Sequence, residues 1–186
     1  MNVPDLHKRA CEEFNRRVHG IRDDQWELPT PNEGWNVRDL LQHLVSEAVW
    51  TAPLMAGQTI AEVGDKFDGD LLGDDPVGAW DRGLAEALAA VTPEAMTRTV
   101  HLSFGDFPGE EYALQLFCDN LIHAWDLARA TGQDERLDPE LVSACATWFA
   151  DREEAYRSAG AIGERADTPP DADEQTKLLA MTGRKA

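Results

Sequence analysis

With 186 residues, 42% of them apolar and 28% charged, the chain carries enough hydrophobic material for a sizeable core and is not of disordered composition. Its 35 acidic residues against 17 basic ones give a net charge of −18, which opposes binding to nucleic-acid phosphates and to anionic membranes. No apolar run nears the ~20 residues of a membrane span, so neither nucleic acid nor membrane is expected as a partner.

Helical periodicity dominates the chain. The N-terminal stretch MNVPDLHKRACEEF is amphipathic, without the charged start and apolar run of a secretory signal, so a cytoplasmic location is expected. Leu6, Ala10, Phe14, Val18 and Ile21 recur every three to four residues and predict a first helix. Its basic pairs Lys8-Arg9 and Arg16-Arg17 are expected to face water. A loop with Pro29 and Pro31 leads to Gly34-Trp35-Asn36, where Asn36 is a good N-cap and Asp39 occupies the capping-box position. The helix it opens carries Val37, Leu40, Leu41, Leu44 and Ala48 inward and should run to about Met55. Segment 62–75 holds six acids against Lys66 but lacks the alternating acids and closing Glu of a calcium loop, so it reads as solvated loop. Asp75-Pro76 marks an N-cap and N1 proline, with Val77, Trp80, Leu84, Leu88 and Val91 inward on a third helix.

Thr99 to Phe107 alternates around Gly105 as a short hairpin or extended crossover. A long fourth helix spans roughly Glu110 to Ala130 and stops at Gly132. Asp138-Pro139 opens a fifth, with Leu141, Val142, Cys145, Trp148 and Phe149 inside. The stretch 160–174 is loop, followed by a short amphipathic turn at Leu178-Leu179. These elements predict an all-α fold, one domain over 1–186: a helical bundle with an additional helix and a hairpin-like crossover. Cys11, Cys118 and Cys145 are odd in number and far apart, which argues against a disulfide framework or a cysteine zinc site.

The chemistry concentrates on the fourth helix. Projected at about 100° per residue, Gln115, Asp119, His123 and Asp126 fall on a strip only about 80° wide, bounded by apolar residues and free of lysine. It reads as a polar seam inside a bundle. Asp119 and His123 stand at i and i+4, the spacing at which two side chains on one helix reach a single ion. His43, at the core edge of the second helix beside Leu40 and Trp50, is the best third ligand. Two imidazoles and a carboxylate suit zinc, nickel or iron(II) and leave positions for water or substrate. The plainer alternatives are an Asp119–His123 ion pair and a hydrogen-bonded core histidine. Glu47, at i+4 from His43, is a rival acid, and Asp126 is placed to orient a ligand imidazole or an arginine. Glu47, Trp50, Gln115 and Asp126 are thus candidates for the site's surroundings. His7, His19 and His101 have no partner at ligand spacing and read as surface or structural.

The segments GWNVRDLLQHL at 34–44, DNLIHAWDLARATGQD at 119–134 and DEQTKLLAMTGR at 173–184 resemble the DinB-like metal-binding superfamily. The likeness is to the branch of the N-terminal domain of mycothiol-dependent maleylpyruvate isomerase. It implies a DinB-like four-helix bundle and one divalent metal, zinc foremost, on His43, Asp119 and His123. It also implies mycothiol or a similar thiol as cosubstrate. Two departures from that isomerase are expected: Asp119 where it has Glu, and no counterpart of its small C-terminal domain. The leading functional expectation is a metal- and thiol-dependent transferase or isomerase acting on a small electrophile. The alternatives are a metal-dependent hydrolase and a non-catalytic metal-binding protein. Monomer and homodimer both stay open.

Overall fold

The computed structural model describes residues 2–186. Their Cα packing forms two compact units, one ending at Asp134 and the other covering Glu135–Ala186.

The first unit is a four-helix bundle. Helix α1 (Val3–Val18) starts at Asn2, whose side chain accepts from the Asp5 amide at 2.9 Å. Helix α2 (Val37–Met55) starts at a complete capping box: Asn36 accepts from the Asp39 amide at 2.8 Å, and Asp39 accepts from the Asn36 amide at 3.0 Å. One turn of helix, α3 (Ile60–Val63), and the acidic loop lead to α4 (Pro76–Ala90), capped by Asp75. Helix α5 (Gly109–Thr131) ends at Gly132 with φ +69°, a left-handed cap that suits glycine. The four long helices close a ring in which α1 packs on α5, α5 on α2, α2 on α4 and α4 on α1. Inside the ring lie Phe14, Leu40, Leu41, Leu44, Trp80, Phe117, Leu121 and Trp125, each essentially removed from water. No helix among the described residues is long and apolar enough to cross a membrane.

The crossover between α4 and α5 is an antiparallel hairpin, β1 (Thr99–Leu102) and β2 (Gly105–Pro108), with Val100 opposite Phe107. Buried Val100 joins Leu54, Met55, Tyr112 and Leu116 in a satellite core at one end of α2 and α5. In the second unit, α6 (Pro139–Phe149) packs on α8 (Glu174–Met181), and α7 (Glu153–Ser158) lies between them in sequence. Gln175 ties this unit's entry loop, donating to the Glu135 carbonyl and accepting from the Leu137 amide, both at 2.9 Å.

Three expectations need correction. Arg17 does not face water: it is only 5% exposed and pairs with Glu13 at 2.7 Å, while its other nitrogen donates to the Asp134 carbonyl at 3.1 Å. On α4, Val77, Leu84 and Leu88 are only partly buried, and the fully inward positions are Ala79, Trp80, Gly83 and Ala87. The helix turns its small residues inward because it lies close to α2: a Cβ on Gly83 would stand 3.2 Å from the Ala48 Cβ. The turn expected at Leu178-Leu179 is a two-turn helix, and α3 and α7 add short helices that the periodicity did not reveal.

Candidate metal centre

Packing α2 against α5 brings His43 to Asp119 across 76 positions of sequence. His43 Nε2 lies 3.1 Å from Asp119 Oδ2, and His123 Nε2 lies 3.3 Å from Asp119 Oδ1. One carboxylate therefore faces two imidazoles, one on each oxygen. One ligand atom from each of His43, Asp119 and His123 falls within 4.8 Å of the others. Ligand atoms about 2.0–2.2 Å from one divalent ion stand about 3.3–3.6 Å apart in a tetrahedron, so the three side chains need only close in slightly to share one. The donor set and its convergence fit such an ion.

The rest of the site holds these groups in place. His123 is 7% exposed, and its Nδ1 donates to Asp126 Oδ2 at 2.8 Å; Asp126 itself has no exposed surface. Asn32 Nδ2 donates to the same Asp126 oxygen at 3.1 Å. The Trp35 ring stacks on His123 at 6.1 Å and 20° between planes, and tilts toward His43 at 5.2 Å. Glu47, one helical turn beyond His43, is partly buried.

Electrostatics follow from this arrangement. Burial alone would raise the Asp119 carboxyl, but the facing His123 and His43 hold it well below the ordinary carboxylate range. Burial disfavours the charged form of both imidazoles, yet Asp119 outweighs it: His43 is raised, and His123, with Asp126 as well, is raised to about 9. The Glu47 carboxyl goes the other way, pushed up to about 7 by burial and then by the charge of Asp119.

Of the sequence candidates, His43, Asp119, His123 and Asp126 meet directly, and Glu47 joins them through its field. Trp50 instead packs on Phe67 at 5.7 Å and against the satellite core. Gln115 is partly buried one turn before Asp119 on α5. His19 pairs with Asp81 at 2.9 Å and His101 with Asp106 at 2.7 Å. His7 is a core residue, 2% exposed, with Nε2 at 3.5 Å from Cys11 Sγ. Sequence reasoning missed Asn32 and the contact role of Trp35. Only the compact run Gly34-Trp35-Asn36 before a strong cap hinted that this loop is built rather than merely connecting.

A helical bundle with two histidines and a carboxylate facing one another across two of its helices defines the class to which this molecule belongs. Residues 7–128 match the family model of the mycothiol maleylpyruvate isomerase N-terminal domain, and the chain belongs to that family. Uncharacterized proteins of Mycobacterium tuberculosis, from strains CDC 1551 / Oshkosh and H37Rv, are each 35% identical over 139 residues, 73% of this chain and 70% of theirs. Among solved structures, mycothiol-dependent maleylpyruvate isomerase aligns with a TM-score of 0.63 and 18% identity, covering 88% of this chain and 72% of that one. A histidine-to-alanine mutant of that enzyme aligns equally well, at 17% identity. At such identity these likenesses establish the fold.

Proposed function

We propose that the chain is a metal- and thiol-dependent enzyme that holds one divalent ion on His43, Asp119 and His123 and catalyses S-transfer or thiol-assisted isomerisation of a small electrophile. The observation that carries this reading is the convergence of two imidazole Nε2 atoms on the two oxygens of Asp119. Family membership supports mycothiol, or a thiol like it, as cosubstrate. The borderline-soft nitrogen and oxygen donors favour zinc, with nickel or iron(II) compatible. Such a thiol would place the reaction in the cytoplasm.

A divalent ion there supplies positive charge that favours the deprotonated form of a thiol, whose free pKa is about 8.5. The remaining work falls to the chain. His43 and Asp119 keep side-chain exposures of 30% and 32%, so one side of the triad stays open to an incoming sulfur. Trp35 and α5 shield the imidazoles on the other. With its affinity for protons at about 7, the Glu47 carboxylate is suited to take the proton that leaves the sulfur. The sulfur lone pair then forms the C–S bond as the π bond of an activated carbon–carbon double bond breaks, its electrons passing to the adjoining carbonyl. For transfer, the proton on Glu47 goes to the resulting carbanion and completes addition of the thiol. For isomerisation, rotation about the new single bond is followed by cleavage of the C–S bond, which restores the double bond and releases the thiolate, and Glu47 returns its proton to the sulfur.

Elemental analysis of protein purified without chelators or metal-affinity resin tests the metal, and titration with a low-molecular-weight thiol tests the cosubstrate. One equivalent of metal per chain is expected, lost in His43→Ala and in His123→Ala but kept in His19→Ala and His101→Ala. A full equivalent retained by the His123 variant would remove the assignment. Metal without any thiol affinity would point instead to hydrolysis or to a structural ion.

A further inference from the structure

We propose that Asn32 is a positioning residue for His123, acting through Asp126, so that a turn outside the bundle sets which imidazole nitrogen faces Asp119 and His43. The inference rests on reading the triad as a metal site, but its geometry stands apart from any ion. Asp126 is a carboxylate with no exposed surface, and such a group is tolerated only when donors surround it. Its Oδ2 takes two hydrogen bonds, from His123 Nδ1 at 2.8 Å and from Asn32 Nδ2 at 3.1 Å, the latter from 94 positions away. An ionised carboxylate only accepts, so the imidazole nitrogen beside it must carry hydrogen, and Nε2 is the atom left for Asp119. The Asn32 amide is neutral. It helps hold the carboxylate's place without competing for its charge, which stays available to His123.

The turn that carries Asn32 is braced to do this. Thr30 donates twice to the Trp35 carbonyl, through its amide at 2.9 Å and its hydroxyl at 3.0 Å. The Trp35 amide donates to the Asn32 carbonyl at 3.1 Å, and the Asn32 amide to Thr30 Oγ1 at 3.2 Å. Gly34, at φ +81°, supplies the left-handed step that closes the turn. From this frame Asn32 reaches the same Asp126 oxygen that accepts from His123, and Trp35 lies on the His123 ring face. The imidazole is thus fixed at its edge and on its face by one loop.

The test follows the His123 Nδ1–H proton by low-field NMR, in metal-free and zinc-loaded protein, alongside zinc affinity by competition with a chromogenic chelator. In the parent this proton should be hydrogen-bonded and slow to exchange. Asn32→Ala, which removes the donor, should speed its exchange and weaken zinc binding about 10-fold; Asn32→Asp, the same shape with an acceptor facing Asp126, should approach about 100-fold. Asn36→Ala injures the neighbouring helix cap without touching Asp126 and should leave the His123 proton unchanged. An unaltered Nδ1–H signal in both Asn32 variants overturns the proposal. A changed signal in the Asn32 variants of a protein whose parent takes up no zinc upholds the positioning role while removing the metal reading.

Discussion

His123 sits between two carboxylates, and that placement fixes how any metal must enter. Its pKa of about 9 means that at pH 7.5 an ion reaching Nε2 has to displace a proton, and Asp119 raises His43 above its ordinary value in the same sense. Ordinary imidazoles would put the fall in affinity below pH ~6.5; here it begins as pH drops below about 9, close to tenfold per pH unit for each proton displaced. Calorimetry in buffers of differing ionisation enthalpy should therefore count about one proton released from His123 at pH 7, fewer at pH 9.5. In Asp119→Asn the imidazoles lose their main stabilising charge, so proton release at pH 7.5 should shrink while zinc binding also weakens. Without metal, the raised His123 contributes stability that is whole below the unfolded value of 6.5 and lost as pH rises through about 9. The depressed Asp119 contributes stability present above 3.8 and lost on acidification. His7 has the opposite sense from His123. Buried against Cys11, it is lowered to about 4, so the unfolded chain takes up a proton that the native core refuses, and stability falls between pH 6.5 and about 4. Urea unfolding should show the parent losing about 2 kcal/mol more than His7→Leu between pH 7 and 4.5.

Between elements, close approach is decided by single small residues. Gly109 opens α5 directly beneath the 3₁₀ turn Ala95–Thr97: a Cβ there would stand 2.1 Å from the Ala95 carbonyl oxygen, and its amide donates to the Arg98 carbonyl at 2.8 Å. Since backbone, not a flexible side chain, stands in the way, Gly109→Ala must push the turn or the helix aside, at a loss of about 1–3 kcal/mol in denaturant unfolding. The start of α5 carries the register of Asp119 and His123, so the same variant should also weaken zinc. Gly83→Ala, where the nearest group is the Ala48 methyl at 3.2 Å, should be milder. The helix ends were far easier to read. Asn36 with Asp39, Asp75 before Pro76, and Gly132 mark their termini by local hydrogen bonding or backbone freedom, which neighbouring residues alone decide. The face of α4 was not readable in this way. Leu84 and Leu88 look like core by hydrophobicity, but burial follows how near α2 comes, and that depends on Ala48 as much as on α4 itself.

Across the whole molecule, the net charge of −18 and the helical stripes are properties of the linear chain. They carry the all-α class, the hairpin crossover and the order of the main helices, because amphipathic period and capping act over a few residues. Asp119 and His123 share a helix face for the same reason: four residues make one turn, wherever the helix goes. The sequence by itself thus determined the main helices, the polar strip on α5 and, through family likeness, the kind of bundle they build. What only the tertiary structure decided lies between segments far apart in the chain. It set the 3.1 Å approach of His43 to Asp119, the burial of Arg17 and His7, the reach of Asn32 to Asp126 and the stacking of Trp35 on His123. Those contacts arise when α1, α2, α4 and α5 close their ring, and helix periodicity holds no information about which faces meet or how closely.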